Sequence, residues 1–395
     1  MENIVTGELK GKKLILRLCG RVDSSNSPQV EKEIADTLEG KAFDEITVDA
    51  AGLEYISSAG LRVILRLRKS YPGLEIINTS PEVYEIFEMT GFTEMMPIGK
   101  AYRVLSVEGC EVIGKGSNGE VYRLDPDTII KVYLNPDALP EIHRERELAR
   151  KAFVMGIPTA IPYDVVRVGE GYGSVFELLN AKSFTKILSS EPQRLDEITG
   201  MYVNLLKVIH STQVKEDDMP CMKKIAMGWV SDIKGKISDR AYEKLYSLVS
   251  CVPEDNHIIH GDYHVKNVML QNGEALLIDM DTLCHGAPVF EFASIFNAYI
   301  GFYGGIEKKP EVTFIGIPYE MGLEIWSKTL RLYFNTDDEE LLKEIEMKAA
   351  VVGYTRVLRR TYKRSDMTKS ENKAIVEYCK NKIEEYVEKI DTLCF

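Results

Sequence analysis

The sequence has few cysteines for its length, and their spacing argues against zinc and redox sites. Its 395 residues include seven cysteines, and no two of them form a Cys-x-x-Cys pair. The six histidines are also scattered and lack the spacing of a zinc site with nearby thiolates. We therefore expect ordinary reduced thiols and no zinc site.

Long apolar runs and a surplus of positive charge are missing as well. No stretch of about eighteen apolar residues occurs, and the first residues do not form a basic segment followed by an apolar run. Aspartate and glutamate outnumber lysine and arginine, which gives a formal net charge of -12. Because nucleic-acid binding depends on clustered positive charge, we expect no nucleic-acid partner. We also expect no membrane association and a cytoplasmic location.

What the sequence does have is enough hydrophobic residues, 45% of the chain, for packed cores in two or three domains. Its first hundred residues alternate strand and helix patterns. Strands are predicted at 13–18, 45–49 and 74–77. Helices are predicted to begin at 29, 57 and 81. This succession predicts a small α/β domain with a mixed sheet, which ends between residues 100 and 106.

A glycine-rich run, Gly-x-Gly-x-x-Gly at 114–119, opens the second segment. A dinucleotide-binding fold would place a helix directly after the glycines, but residues 120–124 and 128–133 have strand patterns separated by an Asp-Pro-Asp turn. No Gly-Lys-Ser/Thr ends the run, so it is not a Walker A loop. The pattern predicts a β-hairpin whose backbone N–H groups approach the phosphates of ATP. The candidate binding residues are Gly114, Gly116, Ser117, Asn118 and Gly119.

The strand after this hairpin carries Lys131, which can reach the α- and β-phosphates of ATP. Such a lysine is usually oriented by a glutamate of the following helix, predicted here over 140–155. Glu145 is the preferred partner and Glu147 the alternative. Arginines flank both glutamates, so either one could instead form a solvated ion pair.

A further nucleotide contact is predicted where a strand leads into a linker between two lobes. Residues 173–179 have the pattern of an edge strand that ends in this linker. Backbone groups of Glu177 and Leu179 could pair there with adenine, although an ordinary buried strand is the alternative interpretation.

The most informative motif is His-Gly-Asp-Tyr-His-Val-Lys-Asn at 260–267, followed twelve residues later by Asp279. The carboxylate of Asp262 can accept the proton of an attacking hydroxyl, while Asn267 and Asp279 supply oxygen ligands for magnesium ions. The segments 256–259 and 275–278 predict short buried strands on either side of this loop. The motif therefore predicts an active site for phosphoryl transfer that uses ATP and Mg²⁺.

Two segments, Gly20–Pro28 and Leu53–Arg62, resemble a STAS domain, the fold of bacterial anti-anti-sigma factors, and the resemblance assigns residues 1–103 to it. In that family a serine just before the Gly-Leu at a helix N-terminus accepts phosphate, but here this position is Ala59. Ser57 and Ser58 precede it, and either serine is a shifted acceptor or only a helix cap. The resemblance implies a regulatory domain.

The motifs of the second segment together resemble the aminoglycoside phosphotransferase and choline kinase branch of the protein-kinase-like fold. His264 stands where typical protein kinases have a lysine, and Ile-Asp at 278–279 replaces their Asp-Phe-Gly. The resemblance implies Asp262 as the base and Asn267 and Asp279 as magnesium ligands. It also implies an α+β bilobal domain with an N-lobe at 104–180 and a mostly helical C-lobe at 181–395.

The same resemblance extends to a segment after the metal-binding aspartate. The family's Gly-Asp-Pro-x-x-Asp is represented by Gly286 to Glu291, where the two acidic positions have become Ala287 and Glu291. We expect this departure to alter how the catalytic loop is braced.

The acceptor of the phosphoryl group cannot be identified from these motifs alone. The family resemblance favours a small hydroxylated or aminated metabolite or antibiotic, whereas fusion to a STAS-like domain favours a signalling protein. The alternative hypothesis is a nonenzymatic nucleotide-sensing scaffold, in which nucleotide bound at the kinase-like lobes sets whether the STAS-like surface at 57–62 engages its partner. An intramolecular contact between the two domains is a further hypothesis. Basic residues between 356 and 364 could attract an anionic substrate, but a charged outer helix face is the preferred interpretation.

Overall fold

A computed structural model describes residues 4–116, 118–215 and 218–395. The chain divides into two compact units, one ending at Ser106 and the other beginning at Val107, and each has its own hydrophobic core. Across the described ranges, no helix is both long enough and apolar enough to cross a lipid bilayer.

The first unit is a five-stranded mixed sheet covered by helices, as the sequence predicts. Strand order follows chain order; the first two strands are antiparallel and the remaining neighbours are parallel. The strands are β1 (Val5–Lys10), β2 (Lys13–Val22), β3 (Glu45–Ile56), β4 (Glu75–Thr79) and β5 (Ile98–Lys100). The helices are α1 (Ser27–Leu38), α2 (Ser58–Ser70), α3 (Pro81–Met89) and α4 (Phe92–Met95).

Hydrophobic periodicity explains how these elements pack. Leu14, Leu16 and Leu18 alternate along β2 and are all buried, as expected for a strand with one face on the core. Along α2, Leu61 and Ile64 are buried and lie three residues apart on one helix face. The strands and helices of this unit therefore pack on the faces that the alternating and the helical spacing of apolar residues indicate.

The second unit begins with a five-stranded antiparallel sheet flanked by a helix. The strands are β6 (Val112–Lys115), β7 (Gly119–Arg123), β8 (Thr128–Tyr133), β9 (Pro162–Val168) and β10 (Gly171–Glu177), in the order β6-β7-β8-β10-β9. The helix is α5 (Leu139–Val154). The expectation of an edge strand at 173–179 was wrong, because β9 pairs with the outer side of β10.

The rest of the second unit is mostly helical, with three short pairings of strands near the centre. The helices are α6 (Phe184–Ser190), α7 (Leu195–Ser211), α8 (Met222–Asp232), α9 (Asp239–Ser250), α10 (Pro288–Tyr299), α11 (Tyr319–Phe334), α12 (Glu339–Arg364) and α13 (Ser370–Val387). The strands are β11 (Lys182–Ser183), β12 (Ile258–Ile259), β13 (Val268–Gln271), β14 (Glu274–Leu277) and β15 (Cys284–His285).

Three of these helices, α6, α8 and α9, were not predicted, although α9 has a readable signal. Ser238 accepts a hydrogen bond from Ala241 N–H as its N-cap, and Ala241, Leu245 and Leu248 form a buried stripe. The catalytic motif at 260–267 lies between β12 and β13. The strand expected at 256–259 is limited to its last two residues, which pair with β15.

Candidate active site

Nine of the sequence-predicted site residues meet at a cleft of about 1280 Å³ within the second unit. Elements far apart in the chain contribute to its lining: the β6–β7 hairpin, β8, α5, the 260–267 loop and the segment after β14. The predicted residues that line it are Gly114, Gly116, Asn118, Gly119, Lys131, Glu145, Asp262, Asn267 and Asp279. Ser117, also predicted, lies outside the described residues.

The glycine-rich hairpin owes its shape to residues without a side chain. Gly116 N–H donates a hydrogen bond to the Gly119 carbonyl at 2.9 Å, which closes the turn. A Cβ atom at Gly119 would lie 2.3 Å from the carbonyl oxygen of Val132 on β8, so only glycine fits there. The hairpin therefore lies close on β8, the strand that carries Lys131.

Lys131 is held between two carboxylates. Its Nζ lies 2.8 Å from Glu145 Oε1 and 3.2 Å from Asp279 Oδ1. Burial opposes its charge, but Asp279 and Glu145 outweigh burial and raise the pKa of the Lys131 ammonium group. The alternative partner, Glu147, is largely exposed and lies 3.5 Å from Lys151. The lysine is therefore a fixed positive charge that joins β8, α5 and the segment after β14.

The catalytic loop is folded on itself by the Asn267 side chain. Asn267 Nδ2 donates to the Asp262 carbonyl at 3.0 Å, and its backbone N–H donates to the His264 carbonyl at 2.9 Å. Ile278 N–H in turn donates to the Asn267 carbonyl at 3.0 Å. With its amide nitrogen engaged, Asn267 keeps a side-chain oxygen for another partner, close to both Asp262 and the segment that carries Asp279.

The Asp262 carboxylate is stabilised in its ionised form. His264 Nε2 lies 3.6 Å from Asp262 Oδ2, and the ring of His264 is buried. Burial opposes ionisation, but His264 and Arg356 outweigh it and hold the pKa of the Asp262 carboxyl well below its usual range. The Asp262 side chain is 41% exposed. Asp262 is thus an ionised carboxylate that an acceptor can reach from the cleft.

The 260–267 loop is held by a fully buried carboxylate, that of Glu291 on α10. It accepts hydrogen bonds from the backbone N–H groups of His260 and Gly261, the latter at 3.0 Å. The Gly261 carbonyl accepts from Ser294 Oγ at 2.8 Å and from Arg356 Nη1 at 2.9 Å. The expected change in bracing therefore takes a definite form, in which Glu291 holds the loop directly and Ala287, the other altered position, supplies no carboxylate.

An acidic region lies opposite Lys131, at the start of the segment after β14. Asp279 has a left-handed backbone with φ of 66°, and its carbonyl accepts a hydrogen bond from His260 Nε2 at 2.9 Å. Burial together with the negative charges of Asp279 and Glu145 raises the pKa of the Asp281 carboxyl to about 7. This repulsion between carboxylates is the kind that a bound cation relieves.

The oxygen donors of Asn267 and Asp279 suit a Mg²⁺ ion that also has ligands from a substrate, and they are too few to hold a metal ion by themselves. In the described parts of the chain, no three His, Cys, Asp or Glu side chains are arranged to hold a metal ion. Asp279 and the free oxygen of Asn267 are hard oxygen donors, and Mg²⁺ is commonly bound by one or two carboxylates together with substrate phosphates. These residues therefore fit a magnesium ion that arrives with a nucleotide.

Comparison with protein families assigns this arrangement to a known group. The model of the phosphotransferase enzyme family, APH, matches residues 109–307, half of the chain, including the hairpin, Lys131 and the catalytic loop. The chain belongs to this phosphotransferase enzyme family. A second model, that of the STAS domain, matches residues 4–104. The chain therefore joins an N-terminal STAS domain to a phosphotransferase domain.

Individual proteins and solved structures are similar to parts of this chain. A Bordetella bronchiseptica protein described as an anti-sigma factor antagonist, BtrV, is 38% identical over 92 residues, which cover 22% of this chain and 78% of the relative. Aminoglycoside phosphotransferase APH(2'')-Ib with bound ADP is similar at 14% identity and a TM-score of 0.47, covering 76% of this chain and 98% of that one. A thermostable mutant of APH(4)-Ia is similar at 13% identity and a TM-score of 0.49, covering 72% and 97%.

The predicted adenine contacts of the phosphotransferase domain differ from the rest of the site. Neither Glu177 nor Leu179 is among the residues that line the cleft. The backbone N–H of Glu177 already donates to the Ile161 carbonyl at 3.0 Å. Of the two backbone groups of Glu177, only the carbonyl is therefore available to pair with adenine. Thr159 and Phe176 line the cleft in this region and were not predicted, because neither belongs to a recognisable motif.

The structure corrects the interpretation of the basic residues near the C-terminus. They had been assigned to the outer face of a long helix, but α12 turns this face toward the cleft of the phosphotransferase domain. Helical spacing shows which residues share a face and does not show what that face meets. The residues concerned are Arg356, Arg359, Arg360, Lys363 and Arg364.

In the STAS domain, the two serines before Ala59 have different roles in the helix. Ser57 is the N-cap of α2, and its Oγ accepts hydrogen bonds from the N–H groups of Ala59 at 3.2 Å and Gly60 at 3.5 Å. Ser58 is the first residue of the helix and is exposed. The hydroxyl of Ser57 is therefore engaged in capping, whereas that of Ser58 is presented to solvent.

We expect Ser57→Ala to lower the stability of α2 by about 1 kcal/mol, because a helix N–H loses its cap. Hydrogen exchange of the peptide that spans α2, measured in the full chain, would report this as faster exchange. Ser58→Ala is the matched control and is expected to change stability by less than about 0.5 kcal/mol. Equal effects of the two substitutions would contradict the assignment of Ser57 as the cap.

Proposed function

We propose that this protein is an ATP- and Mg²⁺-dependent phosphotransferase whose acceptor is a hydroxyl group. The observation that carries the proposal is the meeting of Asp262, Asn267, Asp279 and Lys131 at one cleft. Three of these residues are oxygen donors and the fourth is a fixed ammonium, which is the set that transfer of a γ-phosphoryl group requires.

Asp262 is proposed as the general base. Its ionised carboxylate accepts the proton of the acceptor hydroxyl as that oxygen bonds to the γ-phosphorus of ATP. The bond from the γ-phosphorus to the bridging oxygen breaks, and ADP leaves with the electron pair. Because the pKa of Asp262 is held low, its carboxylate is ionised at neutral pH, so no proton has to leave before it can accept that of the hydroxyl. The hydrogen bonds of Asn267 and Glu291 to the loop hold Asp262 in the orientation that this step needs.

Lys131 is proposed to bind the α- and β-phosphates, oriented by Glu145, while the glycine hairpin covers the triphosphate. Asn267 and Asp279 are the proposed ligands of Mg²⁺. Bound Mg²⁺ would neutralise charge on the β- and γ-phosphates. For adenine we propose the Glu177 carbonyl as acceptor and the Leu179 N–H as donor, since the Glu177 N–H is occupied.

The proposal is tested by incubating the full chain with Mg²⁺ and γ-labelled ATP, together with hydroxylated metabolites, an aminoglycoside or a catalytically inactive copy of the chain. Label on a small molecule or on the inactive copy supports a phosphotransferase and identifies the type of acceptor. ATP binding without transfer to any of these, and without hydrolysis, would favour the nucleotide-sensing scaffold instead.

Asp279→Ala is expected to reduce phosphate transfer more than about 100-fold at fixed Mg²⁺, since loss of groups that merely orient metal ligands already costs 10- to 100-fold. The milder Asp279→Asn should raise the Mg²⁺ concentration needed for half-maximal rate. Asp196→Ala, which removes a carboxylate that is 82% exposed, is the control and should leave the rate unchanged. An unchanged Mg²⁺ requirement in Asp279→Asn would refute the assignment of this residue as a metal ligand.

For the STAS domain we propose a regulatory role through protein binding. The Bordetella relative is described as an anti-sigma factor antagonist, which supports a partner of the signalling type. The exposed Ser58 is the better-placed of the two serines for modification, since Ser57 caps the helix. Whether its hydroxyl accepts phosphate is decided by mass spectrometry of the inactive copy after incubation with the active protein.

A further inference from the structure

One face of α12 presents a row of positive charges to the active-site cleft. The five basic residues of this face, here called the basic face, are spaced by three, four, seven and eight residues from the first, so they share one side of the helix. They are Arg356, Arg359, Arg360, Lys363 and Arg364. Lys266 and Lys308 also line the cleft. The helix therefore supplies a continuous cationic wall.

The charge balance of the cleft is opposite to that of the chain. The chain as a whole carries a formal net charge of -12. The cleft is lined by nine basic and four acidic side chains. All four acidic ones, Glu145, Asp262, Asp279 and Asp281, belong to the site around Lys131 and the catalytic loop. Apart from these four, no acidic side chain is found among the described residues that line the cleft.

Only part of the basic face is neutralised by its own neighbours. Arg359 Nε contacts Asp232 Oδ2 on α8, and Lys363 Nζ lies 2.7 Å from the same oxygen. Arg356 donates to the Gly261 carbonyl, and the Arg360 guanidinium lies 5.0 Å from the centre of the Phe302 ring. Within the described chain, Arg356, Arg360 and Arg364 have no carboxylate at ion-pair distance. Three guanidinium groups therefore remain uncompensated.

These groups line the same cleft as the proposed base, and Arg356 Nη1 donates at 2.9 Å to the carbonyl of Gly261, the residue directly before Asp262. Arg356 contributes to lowering the pKa of the Asp262 carboxyl, after burial and His264. Burial, with repulsion from Arg364 and Arg356, lowers the pKa of Arg360, and Asp262 opposes that effect. α12 packs on α8 and α10 of the helical part, whereas the glycine-rich hairpin belongs to the antiparallel sheet. The basic face accordingly belongs to the acceptor side of the cleft.

We propose that the acceptor is a small hydroxyl compound that also carries an anionic group, a phosphate or a carboxylate, and that the basic face binds this group. The inference rests on the proposed phosphotransferase function and narrows its substrate class. Guanidinium groups bind such anions through paired charge-assisted hydrogen bonds. A polycationic acceptor, by contrast, would meet like charges on entering the cleft and be repelled.

The test is an acceptor series of matched pairs, assayed with the full chain, Mg²⁺ and γ-labelled ATP. The pairs are glycerol with glycerol 3-phosphate, ribose with ribose 5-phosphate, and ethanol with glycolate. Choline and an aminoglycoside represent cationic acceptors. We expect transfer to be at least about tenfold more efficient for the anionic member of a pair, the contribution of one strong charged hydrogen bond. Preference for neutral or cationic acceptors would overturn the inference and leave the phosphotransferase intact.

The residues are tested with Arg360→Gln and Arg364→Gln, which remove charge but keep a polar side chain. Each should raise the KM for the anionic acceptor about tenfold and make this KM less dependent on salt concentration. Lys343→Gln removes a positive charge from the exposed start of the same helix and serves as the control. If the arginine variants instead raise the KM for ATP and not that for the acceptor, the basic face binds the nucleotide and the inference is wrong.

The two proposals can fail separately. Binding of inorganic phosphate and pyrophosphate to the full chain is measured by calorimetry without ATP. Because these anions can also bind at Lys131, the difference between the unmodified chain and Arg360→Gln is what reports on the basic face. If no acceptor is labelled but both anions bind and Arg360→Gln weakens that binding, the phosphotransferase proposal fails and the anion site stands. If transfer occurs and neither anion binds, the anion site is refuted.

Discussion

Asp262→Asn is expected to lower kcat for phosphate transfer by about 10²- to 10⁴-fold, the usual contribution of a general base. Asparagine has nearly the shape of aspartate but cannot accept the hydroxyl proton. The Asn267 side chain bonds to the backbone carbonyl of residue 262, so the loop is expected to keep its fold in this variant. The rate is measured as label transferred from γ-labelled ATP at saturating acceptor.

Asp337→Asn is the matched control, because Asp337 is 91% exposed in the helical part and its ion pair is with Arg331, far along the chain from the proposed site residues. It should leave kcat unchanged. Binding of Mg²⁺·ADP should survive in Asp262→Asn, which separates loss of chemistry from loss of the nucleotide site. Transfer in Asp262→Asn at the rate of the unmodified protein would remove Asp262 from the mechanism.

The second large effect is expected from Glu291, whose carboxylate is fully buried. Glu291→Ala leaves the N–H groups of His260 and Gly261 without their acceptor, at a cost of about 1–3 kcal/mol each. We therefore expect the free energy of unfolding of the phosphotransferase domain to fall by about 2–6 kcal/mol. Both tryptophans, Trp229 and Trp326, lie in this domain, so denaturation followed by tryptophan fluorescence reports on it selectively.

A milder substitution shows whether this brace also serves catalysis. Glu291→Gln keeps one acceptor oxygen and should therefore cost less stability. We still expect kcat to fall, because the loop that carries Asp262 loses one of its two hydrogen bonds to residue 291. Glu340→Ala, at a position 88% exposed, should change stability by less than about 0.5 kcal/mol. A Glu291→Ala protein as stable as the unmodified chain would contradict the brace.

Local patterns in the sequence were sufficient for the elements that hold the nucleotide side of the site. Strand periodicity around the glycines predicts the hairpin, and the spacing of Asp262, Asn267 and Asp279 predicts their meeting, because a short loop and a β-hairpin connect them. The mixed sheet of the STAS domain follows from equally local signals. In each case the residues that decide the structure are neighbours in the chain.

Features that depend on distant packing were missed or misassigned. β10 was taken for an edge strand because nothing in its own residues shows that β9 pairs beside it. The basic face was assigned to solvent because periodicity fixes a shared side and leaves its direction to tertiary packing. Glu291 was noted as a departure from a motif, but its bonds to residues 260 and 261 connect positions thirty residues apart.

The three bonds that converge on the backbone of Gly261 have a mechanical consequence. Glu291 and Ser294 of α10 and Arg356 of α12 all attach to this one residue, next to Asp262. The base and the basic face are thereby fastened to the same pair of packed helices, whereas the glycine hairpin belongs to the separate antiparallel sheet. Under the proposed function, a movement of that sheet would release ADP while the distance from Asp262 to a bound acceptor stayed constant.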